Sequence, residues 1–243
     1  MIKKWLPLSL SALLLCGSIT SLAAETKVYQ GLGHSTNFRV GPGKDSEGQQ
    51  VYSFNYVDAA VLFDADGKII NAVVDALEVS SPNYDGESMP HFSGWPGTEG
   101  HNLADHKTKK VIGKTENTPA NIANEVDNWK TKRERGASYG MNPKNEWDEQ
   151  MDFFQDKFKG KTVDELEIIF TKLYSDVNGR PLKENSRNDK DKEKYSKLTE
   201  AEKKEVADIT AGATMSLRDS HGDILGALKN AYENRVEVAI PTK

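Results

Sequence analysis

Apolar positions along the chain change their period near residue 119. Before it, residues 51–63 and 69–77 concentrate Val, Ile and aromatic side chains, with Asp64-Ala65-Asp66-Gly67-Lys68 between them. Asp-Gly in such a connection supports positive φ and turns the chain back, so the pattern predicts a β-hairpin. Upstream, residues 27–32 read as a short strand entering a loop rich in Gly, Ser and Pro over 31–48. Residues 80–114 hold most of the Pro, Gly and His and read as a long surface excursion.

Beyond residue 119 the period becomes helical. Trp147, Met151, Phe154 and Phe158 recur at steps of three and four, one face of an amphipathic helix over 145–158. Thr162-Val163-Asp164-Glu165 is a capping box for a second helix with Leu166, Ile169, Phe170 and Leu173 inside, stopped by Asn178-Gly179-Arg180-Pro181. Residues 183–197 mix charges with almost no apolar content, the pattern of a solvated loop or linker. Thr199 to Glu202 forms another capping box. Residues 216–234 then predict a helix capped by Ser216, with Leu217, Ile224, Leu225, Leu228 and Tyr232 along one side, and 236–240 a closing strand before Pro241. No internal repeat emerges. This order predicts an α+β fold, an antiparallel sheet with helices packed on one face.

The N-terminus reads differently from the rest. Lys3 and Lys4 precede a short apolar run over 6–16, and Ser21-Leu22-Ala23-Ala24 offers small residues for a signal peptidase, so residues 1–24 are expected to be a cleaved export signal, cut after Ala23 or Ala24. The run is short for a membrane span and nothing later is longer, so no transmembrane segment is expected after cleavage. The expected address is periplasmic or extracellular. Cys16 is the chain's one cysteine, and Leu15 before it does not suit lipidation. The mature chain would then have no cysteine, which excludes disulfides, thiolate metal sites, iron–sulfur clusters and c-type haem. Removing Lys3 and Lys4, with no acid before Glu25, takes the formal charge from −5 to −7, which argues against a nucleic-acid partner. Any redox chemistry here would use an organic cofactor.

Between the last two predicted helices lies Asp208-Ile209-Thr210-Ala211-Gly212-Ala213-Thr214. Gly212 and Ala213 are small enough for a bulky group to approach the backbone. The Thr214 hydroxyl sits just ahead of a predicted helix N-terminus, whose free N–H groups and positive dipole end favour a phosphate. Read alone, Gly-Ala-Thr is equally a turn and an alternative helix cap.

The segment resembles the flavinylation motif Asp-x-x-Ser/Thr-Gly-Ala-Thr, with Ala211 standing where Ser or Thr is usual. The stretch Lys130 to Met141, then Trp147-Asp148-Glu149-Gln150 and Gly160-Lys161-Thr162, is similar to bacterial extracellular FMN-binding-domain proteins, as is the hairpin around Asp66-Gly67. Those proteins are related to the flavin subunits of the sodium-pumping NADH:quinone oxidoreductase and of the Rnf complex. The resemblance covers most of residues 26–240 and implies an FMN-binding domain over 25–243 with a helical insertion near 119–200. It implies FMN joined through its phosphate to Thr214 by a Mg²⁺-dependent flavin transferase with FAD as donor. It also implies electron transfer outside the cytoplasm from a membrane-bound or envelope donor, as a redox carrier more than a stand-alone enzyme. Asp208 would serve transferase recognition or simply end its helix, and Tyr139, Met141 and Trp147 would form the shelf for the flavin ring or ordinary packing.

Two other functions remain open on the residues. A flavin-dependent reductase of a small acceptor would show convergent Arg or His beside the flavin, with Arg133, Arg135 and Arg218 the candidates. A non-flavin ligand-binding module would use the 80–114 excursion, with His91, Phe92 and Trp95. His101 and His106, near Glu99 and Asp105, lack a zinc-site spacing, and His34 and His221 read as surface residues.

Overall fold

A computed structural model describes residues 27–84, 89–105 and 107–238. The expected signal segment, Cys16, His106 and Ile240 lie outside the described residues. Three long strands come first, β1 (Val28–Lys44), β2 (Gln50–Phe63) and β3 (Ile69–Ser80), then a small hairpin of β4 (Asn102–Ala104) and β5 (Val111–Lys114). Six α-helices follow, α1 (Pro119–Asp127), α2 (Lys132–Arg135), α3 (Trp147–Phe158), α4 (Val163–Leu173), α5 (Asp189–Ser196) and α6 (Glu200–Gly212), with one 3-10 turn (Gly136–Tyr139) between α2 and α3. A two-residue hairpin of β6 (Arg218–Asp219) and β7 (Gly222–Asp223), helix α7 (Ile224–Glu233) and strand β8 (Val236–Val238) complete the described chain. The fold is α+β, and its main sheet is antiparallel in the order β3-β2-β1-β8.

The predicted hairpin is β2 and β3. Asp64 makes the turn, its Oδ1 accepting from the N–H groups of Asp66 (3.0 Å) and Lys68 (2.8 Å), and Gly67 takes φ +78°. Strict alternation along β2 places Val57, Ala59, Val61 and Phe63 inside and their neighbours outside. The inner residues meet Trp147, Met151, Phe154 and Phe158 of α3, Leu166 of α4, Ile209 of α6, and Leu225 and Leu228 of α7 in one core. Each large side chain so buried stabilises the fold by about 1.5–3 kcal/mol.

Three expectations are corrected. The loop expected over 31–48 is mostly strand, because α7 crosses β1 too closely for side chains. A Cβ at Gly31 would lie 2.0 Å from the Ala231 carbonyl oxygen, and one at Gly33 2.1 Å from the Ala231 nitrogen. The charged run over 183–197 contains α5, started by the Asn188 side chain accepting from the N–H groups of Lys190 and Asp191. The helix expected from Ser216 begins only at Ile224, capped by Asp223, which accepts from the Gly226 N–H. Residues 218–223 turn back instead: Ser216 Oγ accepts from the Arg218 N–H, Asp219 from the His221 N–H, and Gly222 takes φ +151°.

Candidate functional site

Helix α6 carries the motif on its last turn and ends after Gly212, with Ala213 already extended. Asp208 is therefore inside the helix, exposed, and does not end it. Gly212 is small for a reason other than ligand approach: a Cβ there would lie 2.2 Å from the Phe153 ring. Ala213 is fully buried in the core. Thr210 spends its hydroxyl on the Ala207 carbonyl oxygen at 3.0 Å. Thr214 is exposed, and its hydroxyl makes no hydrogen bond among the described residues.

The backbone under that hydroxyl is held by one side chain. Gln150, fully buried on α3, accepts from the N–H groups of Thr214 (2.8 Å) and Met215 (3.0 Å) through Oε1. Its Nε2 donates to the Asn145 carbonyl oxygen and to Met141 Sδ. Thr214 thus follows a helix C-terminus and precedes a hairpin, so the phosphate site expected at a helix N-terminus is not formed. The nearby macrodipole end is negative and the local N–H groups are taken, so charge for an anion must come from side chains.

Such side chains line a cavity of about 100 Å³ beside the motif. Met215 and Ser216 form one wall, Tyr139, Met141 and Trp147 an apolar wall, and Lys132, Arg180, Asp219 and His221 the polar rest. A groove of about 240 Å³ shares Tyr139, Met141 and His221 with it and adds Arg39, Glu78 and Arg135. Lys132 is buried, 3.7 Å from Glu78, and lies over the rings of Tyr139 (5.5 Å) and Trp147 (6.0 Å). Glu78 also takes Arg39 at 3.1 Å and the Ser53 hydroxyl at 2.9 Å, so this buried carboxylate is paired. Arg180 is exposed, and its guanidinium makes no hydrogen bond or ion pair among the described residues. Its loop is seated on the motif segment at Gly179, where a Cβ would meet Ser216 Oγ at 2.3 Å and the Arg218 carbonyl oxygen at 2.0 Å.

His221 lies in the turn between β6 and β7, on this cavity, and not on a helix surface. Its Nδ1 is 3.1 Å from Asp219 Oδ1. Burial pushes the Asp219 carboxyl up, but the His221 ring, the His221 N–H and Lys132 outweigh it and hold the group below the usual carboxylate range.

Tyr139, Met141 and Trp147 are brought together with the residues that follow the motif, while Asp208 is exposed and does not line the cavity. Of the three candidate arginines, Arg135 reaches the groove and covers the Tyr139 ring at 4.9 Å. Arg133 instead ties α2 to Val74 and to Asp152 and Gln155 of α3, and Arg218 is held by Glu167 and Asp223. Sequence reading missed Lys132, Gln150, Arg180 and His221. The Gly222 turn signal was the available clue to His221.

The 80–114 excursion packs on α1. Phe92 lies edge-on to Trp95 and Trp129, and His91 sits 3.4 Å from Glu125. Burial, then His91, hold His101 below the usual imidazole range against Glu125, Glu47 and Asp45. Among the described residues, no three His, Cys, Asp or Glu side chains form a metal site, and no helix is long and apolar enough to cross a membrane.

No family model matches the chain, and no solved structure matches it. A chlorophenol reductase of Desulfitobacterium hafniense is 38% identical over 223 residues, 88% of this chain. The chain spans 60% of the length of that curated relative.

Proposed function

We propose that the chain is an exported flavoprotein with an FMN-binding-domain-like fold, carrying FMN on Thr214 and passing electrons from a membrane or envelope donor to an acceptor outside the cytoplasm. The observation that carries this reading is the uncommitted, exposed Thr214 hydroxyl on a backbone fixed by Gln150, next to a cavity with aromatic and cationic walls. A flavin transferase would form the bond between Thr214 Oγ1 and phosphorus while the FAD diphosphate bridge breaks and AMP leaves. Asp208, exposed on the last turn of α6, is open to being read by that enzyme.

The residues present fit the group. Arg180 is the cation available for the phosphodiester that the helix terminus cannot hold. Tyr139, Met141, Trp147 and Met215 supply apolar surface for a flat ring, and Lys132 adds positive charge from within the wall. When bound, FMN supplies reversible uptake of one or two electrons.

Coexpression with a flavin transferase in an exporting host, followed by intact mass, tests this. The expected product is heavier by FMN minus one water, and Thr214→Val loses the increment. An unmodified mass with a transferase that works on a control rejects it.

One observation favours a second reading, direct reduction of a small acceptor at the same cavity: Lys132, Arg135, Arg180 and His221 converge there. The relative's name, a chlorophenol reductase, points the same way. Mixing the reduced protein with a chlorinated phenol separates the two. Reoxidation that saturates with phenol concentration favours a reductase, and no reoxidation favours a carrier.

A further inference from the structure

We propose that His221 is the proton-exchanging group of the cavity, so that electron transfer there is coupled to proton transfer. The inference rests on the flavin reading above and names a role for a side chain that the motif does not include.

The ring is positioned from three directions. Asp219 Oδ1 takes both Nδ1 (3.1 Å) and the main-chain N–H of His221 (2.7 Å), and the His221 carbonyl oxygen accepts from Lys132 Nζ at 3.3 Å. The turn itself is anchored to the sheet, where Asn55 Nδ2 donates to the Ser220 carbonyl oxygen at 3.0 Å. At Gly222 a Cβ would lie 2.8 Å from Val57, so the hairpin sits flush on β2. A carboxylate on Nδ1 selects the tautomer with the proton on that nitrogen and leaves Nε2 for exchange. The ring lines the cavity and both adjoining grooves, and its side chain is 41% exposed, so a proton lost on one side is replaced from solvent on the other.

Charged groups face the ring from every neighbouring element. Lys132 and Arg135 come from α2, Arg39 from β1, and Arg180 and Arg218 from the segments on either side of the motif. Against them stand Asp219 on its own hairpin, Glu78 from β3 and Asp176 from the loop before Arg180, with the Tyr139 phenol also on the wall. Arg39 and Lys132 share the one Glu78 carboxylate, Arg218 is held by Glu167 and Asp223, and Asp176 by Lys194. Asp219 is thus the carboxylate bonded to the ring, and it fixes the orientation of the imidazole. With FMN bound and two electrons supplied by the external donor, His221 would be the group placed to deliver one proton from Nε2, the proton that accompanies formation of the anionic reduced flavin. The imidazole left neutral then takes a proton from water.

The test is the midpoint potential of the flavinylated protein between pH 5.5 and 8.5, after mass confirms full loading. Wild type is expected to show a break in slope within that range. In His221→Gln the break is lost, and in Asp219→Asn, which removes the carboxylate that fixes the ring, it is displaced from its wild-type position. His34→Gln, on the outer sheet face against Tyr56, serves as control and keeps the wild-type curve. A fully loaded His221→Gln with an unchanged break overturns the role of His221 and leaves Thr214 attachment standing. A wild type that gains no flavin mass beside a working transferase overturns both.

Discussion

Gln150 does more to define the motif's geometry than any residue within the motif. Its Oε1 is the shared acceptor for two consecutive N–H groups, one of them buried, and its own side chain is fully enclosed. Gln150→Leu keeps the volume and removes that acceptor, leaving donors unsatisfied at about 1–3 kcal/mol each. The expected loss is about 2–4 kcal/mol in urea unfolding of the unmodified protein, with a lower yield of flavin on Thr214 under matched transferase. A variant as stable as wild type would mean that water replaces the amide there. Thr214 was legible because its neighbours form a linear pattern. Gln150 lies 64 residues away, and only the packing of α3 under the end of α6 joins the two. Lys132, Arg180 and His221 were hidden for the same reason, since each looks like an ordinary surface residue in its own segment.

Among the elements, glycine carries two meanings that sequence reading merges. Gly31 and Gly33 suggested a loop, yet they are the strip of β1 on which α7 lies backbone to backbone. Gly212 suggested room for a ligand, yet the space belongs to the Phe153 ring. These two cases respond differently to an added methyl. Gly33→Ala drives Cβ into main-chain atoms of Ala231 and Ala227, which no rotamer change relieves, so about 3 kcal/mol of destabilisation is expected. Gly212→Ala meets a ring that can swing, so about 1 kcal/mol is expected, with most of it recovered in Gly212→Ala/Phe153→Ala relative to Phe153→Ala alone. Thermal unfolding of the four variants reads both costs, and equal costs at the two glycines would contradict this account. Helix and strand cores were legible because their periods survive any arrangement. The start of α7 was not, because Ser216 and Asp223 are both good caps, and the choice between them is made by the turn at Gly222 against Val57.

For the whole molecule, charge is distributed against its average. The chain is acidic at −5, while the cavity beside the motif gathers Lys132, which shares Glu78 with Arg39, and the exposed Arg180 against Asp219. An acidic exterior around a cationic recess focuses anions inward, which suits a phosphate-bearing cofactor. The same charges set the response to acid. The Lys172 ammonium and the Thr199 N–H at the start of α6 hold Glu202 down to about 2, against some burial. Asp219 is also depressed, since its bonds from His221 outweigh burial. Both folded-state values lie below those of the unfolded chain, so the stability they contribute is complete above about pH 5 and is lost as pH falls through the folded values. Urea midpoints should therefore hold from pH 7 to about 5 and fall steeply between about 4 and 2. The two groups separate by salt. Glu202 is itself largely covered, but its partner Lys172 is more than half exposed, where ions screen the pair, whereas Asp219 also holds the His221 main-chain N–H, a bond that salt does not screen. Raising salt at pH 7 should thus abolish the difference between wild type and Glu202→Gln while leaving that between wild type and Asp219→Asn. If salt erased both differences, the Asp219–His221 contact would be a surface pair, and the fixed ring on which proton exchange depends would be lost with it.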